Sequence, residues 1–225
     1  MSDTDSFIDE VTEEVRRDKL FATMRKYGWI AVLVVVAIVG GTAWREYSQV
    51  RTETQAQAFG DAIMAALEET EPDARIAALD EIATDRPGAR AVLDMLVAAE
   101  KGAEGDDAAA VAQLQAVAGS TEVPQIYRQI ARYKALARGA GVLSLEERRR
   151  GLEDLAVPGE PLRLLAEEQL ALVDIEAGNK DAALERLKNI AVDSEATAGL
   201  RRRASQLIVA LGGSLDDLMG QVQDS

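Results

Sequence analysis

The chain has 225 residues, 39 acidic and 25 basic, for a formal charge of −14. Cysteine and histidine are absent, which excludes disulfides, Cys/His zinc sites, cysteine nucleophiles and any mechanism that passes protons through imidazole. Nine aromatic residues against 39 alanines mean a core of small aliphatic side chains, which predicts an all-α fold, and the acidic surface repels phosphate backbones, so no nucleic-acid partner is expected.

Residues 1–26 read as a cytoplasmic leader. Phe7, Ile8, Val11 and Val15 recur at helical spacing, continued by Leu20, Phe21 and Met24. Ser6 with Asp9 three residues on resembles a capping start. The segment suits docking on a partner or on anionic lipid, and equally a partly disordered leader. Asp3, Asp5, Asp9 and Glu14 occupy positions 1, 3, 7 and 12 of a calcium-loop frame, but Ile8 stands where the sharp turn needs glycine. Calcium is set aside.

Residues 27–47 read as a transmembrane helix. From Tyr27 to Trp44 there are 18 residues without a charge, long enough to span. A buried core segment is the competing reading, but Tyr27 and Trp29 stand at one end and Trp44 and Tyr47 at the other, about 30 Å apart along a helix, where headgroups meet aromatic rings. Arg16, Arg17, Lys19, Arg25 and Lys26 precede the run, while only Arg45 and Arg51 follow it closely. That bias predicts the N-terminus in the cytoplasm and the remainder in the periplasm of a bacterial inner membrane. Gly41-Thr42-Ala43 offers a peptidase site, but seven acidic residues ahead of the run are unlike a signal peptide, so an uncleaved signal anchor is expected. Ala37 and Gly41 form one small-x-x-x-small pair, a weak signal for a homodimer.

Residues 48–211 read as one periplasmic helical domain and 212–225 as a tail. From residue 45 onward the balance is 20 basic to 32 acidic groups. Apolar residues recur at spacings of three and four, as in Val92, Leu93, Leu96 and Val97 or Leu200, Ala204, Leu207, Ile208 and Leu211. Breaks fall at Pro72, Pro87-Gly88, Gly102 to Gly105, Pro124, Gly139 to Gly141, Pro158 to Pro161, Gly178-Asn179, Ser194-Glu195 and Gly212-Gly213. Ser144 with Glu147 and Ser214 with Asp217 are plausible caps.

The pairs repeat. Ala98, Gly105 and Ala110 share their spacing with Ala171, Gly178 and Ala183, 73 residues on. Small residues let two helices cross closely, and the turn needs a residue tolerant of left-handed backbone angles. These are the small-residue positions of a tetratricopeptide repeat. A degenerate unit fits between, with Ala131 and Ala135 in its first helix and Leu145 to Leu155 in its second. The expected architecture is a TPR-like right-handed array of antiparallel helix pairs, against a non-repeating bundle.

With its leader Phe7-Ile-Asp-Glu-Val-Thr-Glu-Glu-Val-Arg-Arg-Asp18, one span and degenerate repeats, the chain resembles the membrane-anchored tetratricopeptide-like family related to the ancillary subunit of the bacterial Sec translocon. The resemblance implies a protein beside the translocon that helps pass emerging polypeptides to periplasmic chaperones. It carries no catalytic residues.

Arg148 to Arg150 and Arg201 to Arg203 are the basic clusters of the outer domain. Nearby glutamates favour a solvated, salt-bridged face over a grip on acidic partners. The carboxylate pairs Asp106-Asp107 and Asp216-Asp217 point to different sides of a helix and are poor acid/base pairs. The usual binding surface of such an array is the concave face of the first helices, where Leu165, Glu168, Leu172 and Glu176 would receive a basic or amphipathic peptide. The expected function is a non-catalytic scaffold, without cofactor or metal, that contacts the bilayer and translocon subunits or chaperones. A periplasmic coordinator of envelope assembly or division is the alternative.

Overall fold

The computed structural model describes the backbone of residues 3–214. The chain divides into two units, Met1–Asp61 and Ala62–Ser225.

The first unit is carried by α1 (Asp3–Leu67), an unbroken helix whose last turns belong to the second unit. The side chains of residues 3–24, 27, 28, 31, 32 and 43 lie outside the described residues, and with them Arg16, Arg17, Lys19 and Tyr27. α1 already includes Asp3, so the helix does not begin at Ser6, whose side chain, with the capping contact expected of it, lies outside the described residues. Arg25, Lys26, Trp29, Trp44 and Tyr47 are exposed, and the Arg51 guanidinium sits 5.1 Å from the centre of the Tyr47 ring, a cation–π distance. Among the described residues no helix is long and apolar enough to cross a membrane. Five side chains of the uncharged run are outside that set.

The second unit continues with α2 (Pro72–Glu81), α3 (Pro87–Ala103), α4 (Asp107–Gly119), α5 (Gln125–Arg138), α6 (Leu145–Glu153), α7 (Arg163–Glu176), α8 (Lys180–Val192) and α9 (Ala198–Ala210). Among the described residues there is no strand. Local chemistry sets the ends. Pro72 and Pro87 stand in the first turns of α2 and α3, where a missing N–H costs nothing. The Asp106 carboxylate accepts from Ala109 N–H at 2.9 Å to open α4. Ser144 and Glu147 form a reciprocal capping box on α6. Thr197, which the sequence reading passed over, accepts from Leu200 N–H to cap α9. Ser214 is the last described residue, so its proposed cap with Asp217 and the pair Asp216-Asp217 lie outside the described residues.

From α2 onward each helix packs mainly on its neighbours in sequence, and α3 also meets α5. Three core clusters follow one another. The first joins α3, α4 and α5 through Met95, Leu114 and Ala131, the second joins α5, α6 and α7 through Leu136, Leu152 and Leu170, and the third joins α7, α8 and α9 through Ala171, Leu187 and Ile208. Among the described residues no single centre serves the whole unit, which is the energetic layout of a repeat array.

The turns repeat to the atom. After α3, Asp106 N–H donates to Lys101 C=O at 3.0 Å and Gly105 N–H to Gly102 C=O at 3.3 Å. After α7, Asn179 N–H donates to Asp174 C=O at 2.8 Å and Gly178 N–H to Ile175 C=O at 3.0 Å. After α9, Gly213 and Gly212 make the same two bonds to Ile208 and Val209. Each is a Schellman closure, with the pivotal glycine at φ +87°, +79° and +75°. Ala98, Ala110, Ala171 and Ala183 are fully buried at these hairpins. In the middle pair the close approach falls to Gly151, where an added Cβ would come within 2.6 Å of Leu136 Cδ2.

We expect Gly178→Ala to lower stability by about 1–2 kcal/mol, because an L side chain at that φ meets the following carbonyl. Gly119→Ala is the control: it ends α4 with open space around it and should be neutral or mildly stabilising. Thermal denaturation followed by circular dichroism compares the two.

Candidate functional site

The pairs α3/α4 and α7/α8 carry the same polar bridge, 73 residues apart. On the second helix of the first pair, Gln113 donates to Asp94 at 3.3 Å and accepts from Lys101 Nζ at 3.4 Å. On the second helix of the later pair, Arg186 donates to Glu167 at 2.7 Å and to Asp174 at 2.9 Å. The later version is fully ionic. Burial works against the Arg186 charge, but the bonds to Glu167 and Asp174 outweigh it and hold its pKa above the ordinary value. Beside each bridge lies a cleft at equivalent positions, one of about 330 Å³ lined by Arg90, Asp94 and Val117, the other of about 400 Å³ lined by Arg163, Glu167 and Ile190.

Asp174 is the hub of the later pair. The residue is only 2 % exposed, yet its carboxylate accepts from Arg186 and also from Arg149 Nη1 of α6 at 2.7 Å. Arg148 of α6 is buried as well, donating to Leu136 C=O at 3.3 Å and pairing with Glu176. The expected solvated face of Arg148 to Arg150 is therefore corrected: only Arg150, paired with Glu146 one turn away, fits it. The other two hold α6 against α7.

The first helices share a second register. Tyr133 of α5, Glu168 of α7 and Arg203 of α9 are each 35 residues apart. Arg203 grips Glu168 with Nε at 2.7 Å and Nη2 at 2.8 Å, a bidentate geometry that raises the Arg203 pKa. Tyr133 is bonded to Gln169, and burial above all pushes its hydroxyl pKa up. These contacts line up α5, α7 and α9 along one face.

Of the four residues expected to receive a peptide, Leu165 and Leu172 are half-buried on this face. Glu168 is buried, 6 % exposed, and committed to Arg203, while Glu176 is exposed but engaged by Arg148. Both carboxylates thus have partners within the chain, and Glu168 needs its own because a carboxylate buried among packed helices requires a cation. Likewise Asp106 caps α4, and Asp107 pairs with Arg138 at 2.7 Å. Sequence reasoning missed Asp174, Arg186 and the Glu168–Arg203 pair. The 35-residue spacing of Tyr133, Glu168 and Arg203 was the available signal. The carboxylates are positioned to brace helices, and half-buried apolar side chains lie between them.

A family model described as a tetratricopeptide repeat-like domain matches residues 24–148, more than half of the chain. No curated protein and no solved structure matches it. The matched segment takes in the uncharged run of α1 and ends in α6, whereas α7 to α9 lie beyond it and still reproduce the turn geometry of Gly105 at Gly178 and Gly212. On this match the chain belongs to the tetratricopeptide repeat-like domain family.

Proposed function

We propose that the protein is a non-catalytic, single-span scaffold of a bacterial inner membrane, with its N-terminus in the cytoplasm and its repeat domain in the periplasm. Repeat-like domains of this family are protein-interaction modules, so the scaffold acts by holding other proteins. One observation carries the membrane reading. Leu33 to Val39 are seven successive helical residues, all apolar and all exposed. At the helical rotation they point in every direction, and a helix apolar all round is stable only when hydrocarbon or protein surrounds it. Trp29, Trp44 and Tyr47 bracket the run, and the family match joins it to the repeats.

Within that setting we place the protein beside the Sec translocon, passing emerging polypeptides to periplasmic chaperones. The resemblance of leader, span and repeats supports this. A C-terminal alkaline phosphatase fusion should be active and a C-terminal green fluorescent fusion dark, as the basic residues ahead of the run require. The reverse pattern contradicts the orientation. Detergent pull-down then tests the setting: translocon and chaperone peptides support it, and cell-wall synthases in their place overturn it.

A further inference from the structure

The face shared by the first helices changes character along its length. Ala99 of α3, Ala137 of α5, Leu172 of α7 and Leu207 of α9 occupy equivalent positions, since Leu172 lies 73 residues after Ala99, 35 after Ala137 and 35 before Leu207. Toward α9 the two leucines are half-buried and Glu168 meets Arg203 beside them. Toward α3 two alanines stand instead, and a groove of about 510 Å³ remains, with Met95, Leu114 and Tyr133 among its walls. That volume is in the range of ligand-sized sites.

The groove's charges are Arg138, Asp107 and Lys134. Arg138 and Asp107 bond to each other at 2.7 Å and largely cancel. Lys134 is exposed and has no ion-pair partner among the described residues. On a chain of charge −14, the mouth of this apolar groove is left locally positive.

We infer that the α3–α5 groove receives a protein segment bearing aliphatic anchors flanked by carboxylates, the anchors lying over Ala99 and Ala137 and a carboxylate facing Lys134. This rests on the protein-binding reading above and gives it a place and a chemistry. The apolar walls supply affinity through burial, and Lys134 supplies charge selection and faster encounter at low salt. Basic segments, which an acidic chain would attract without specificity, are disfavoured here.

The test uses the full chain in detergent and two fluorescein-labelled peptides of equal length, each with two leucines four apart, one flanked by glutamates and the other by lysines. Fluorescence anisotropy should show the acidic peptide binding about tenfold or more tighter than its basic twin, with the preference weakened by salt. Lys134→Glu should abolish or reverse the preference. Ala99→Leu, at an exposed position, should fill the groove and weaken both peptides, whereas Glu185→Lys on α8 should leave binding unchanged. Equal binding of the twins, preference for the basic one, no binding of either, or indifference to Ala99→Leu overturns the inference. Cross-linking of a partner from this face in cells, with the acidic peptide failing, defeats the groove chemistry alone. Loss of both defeats the protein-binding reading too.

Discussion

Leu187→Ala is expected to destabilise the repeat unit by about 3 kcal/mol. Leu187 is fully buried in the cluster that joins α7, α8 and α9, packed with Ala171, Ile190, Ala204 and Ile208. Truncation removes one methine and two methyl carbons from close contact and leaves a void that helices locked by Schellman turns and ion pairs close only in part. Leu114 holds the equivalent place 73 residues earlier and is likewise buried, so Leu114→Ala should cost a similar amount. For a unit of this size, each substitution should lower Tm by roughly 6–12 °C. A loss below about 1 kcal/mol at both sites would mean that the two leucines do not anchor separate layers of one repeating core.

Asp174→Ala should cost about 2–3 kcal/mol, large for the removal of one polar side chain. The carboxylate is almost wholly buried, and it is shared by Arg149 from α6 and Arg186 from α8. Its loss leaves two guanidiniums at a helix junction, one of which still has Glu167. The arginines are partly exposed, 21 % and 30 %, so water recovers some of the cost. That places the figure below that of a fully buried pair. Glu146→Ala, which breaks only the exposed pair with Arg150, should stay within about 0.5 kcal/mol. Denaturant midpoints for the two variants decide the matter: equal effects would show that Asp174 does not brace α6, α7 and α8.

The helix boundaries were legible because the residues that end helices act locally. Pro72 and Pro87 fix their own φ wherever they stand, and Gly105 and Gly178 accept the left-handed angles a turn requires and other residues avoid. The 73-residue recurrence was legible for the same reason: alanine at a crossing and glycine at a turn are steric necessities. What escaped the sequence is set by distance in the chain. Glu168 looks like a surface residue until Arg203 from α9 is laid beside it, and Arg148 looks solvated until α7 covers it. Gly151 was passed over because its small size matters only against Leu136. The groove between α3 and α5 was invisible for a related reason, since a cavity is the absence of a side chain that the neighbouring repeats happen to have.

On the proposed function, the common face of the first helices captures protein partners. Because the chain has no cysteine, single cysteines can be placed at Ala99 and Leu172 on that face and at Asp181 and Glu185 on the second helix of the later pair. In-cell cross-linking with a thiol-reactive reagent should give discrete protein adducts from Ala99 and Leu172 and none from Asp181 or Glu185. Adducts from the α8 positions alone, or from none of the four, would contradict the claim.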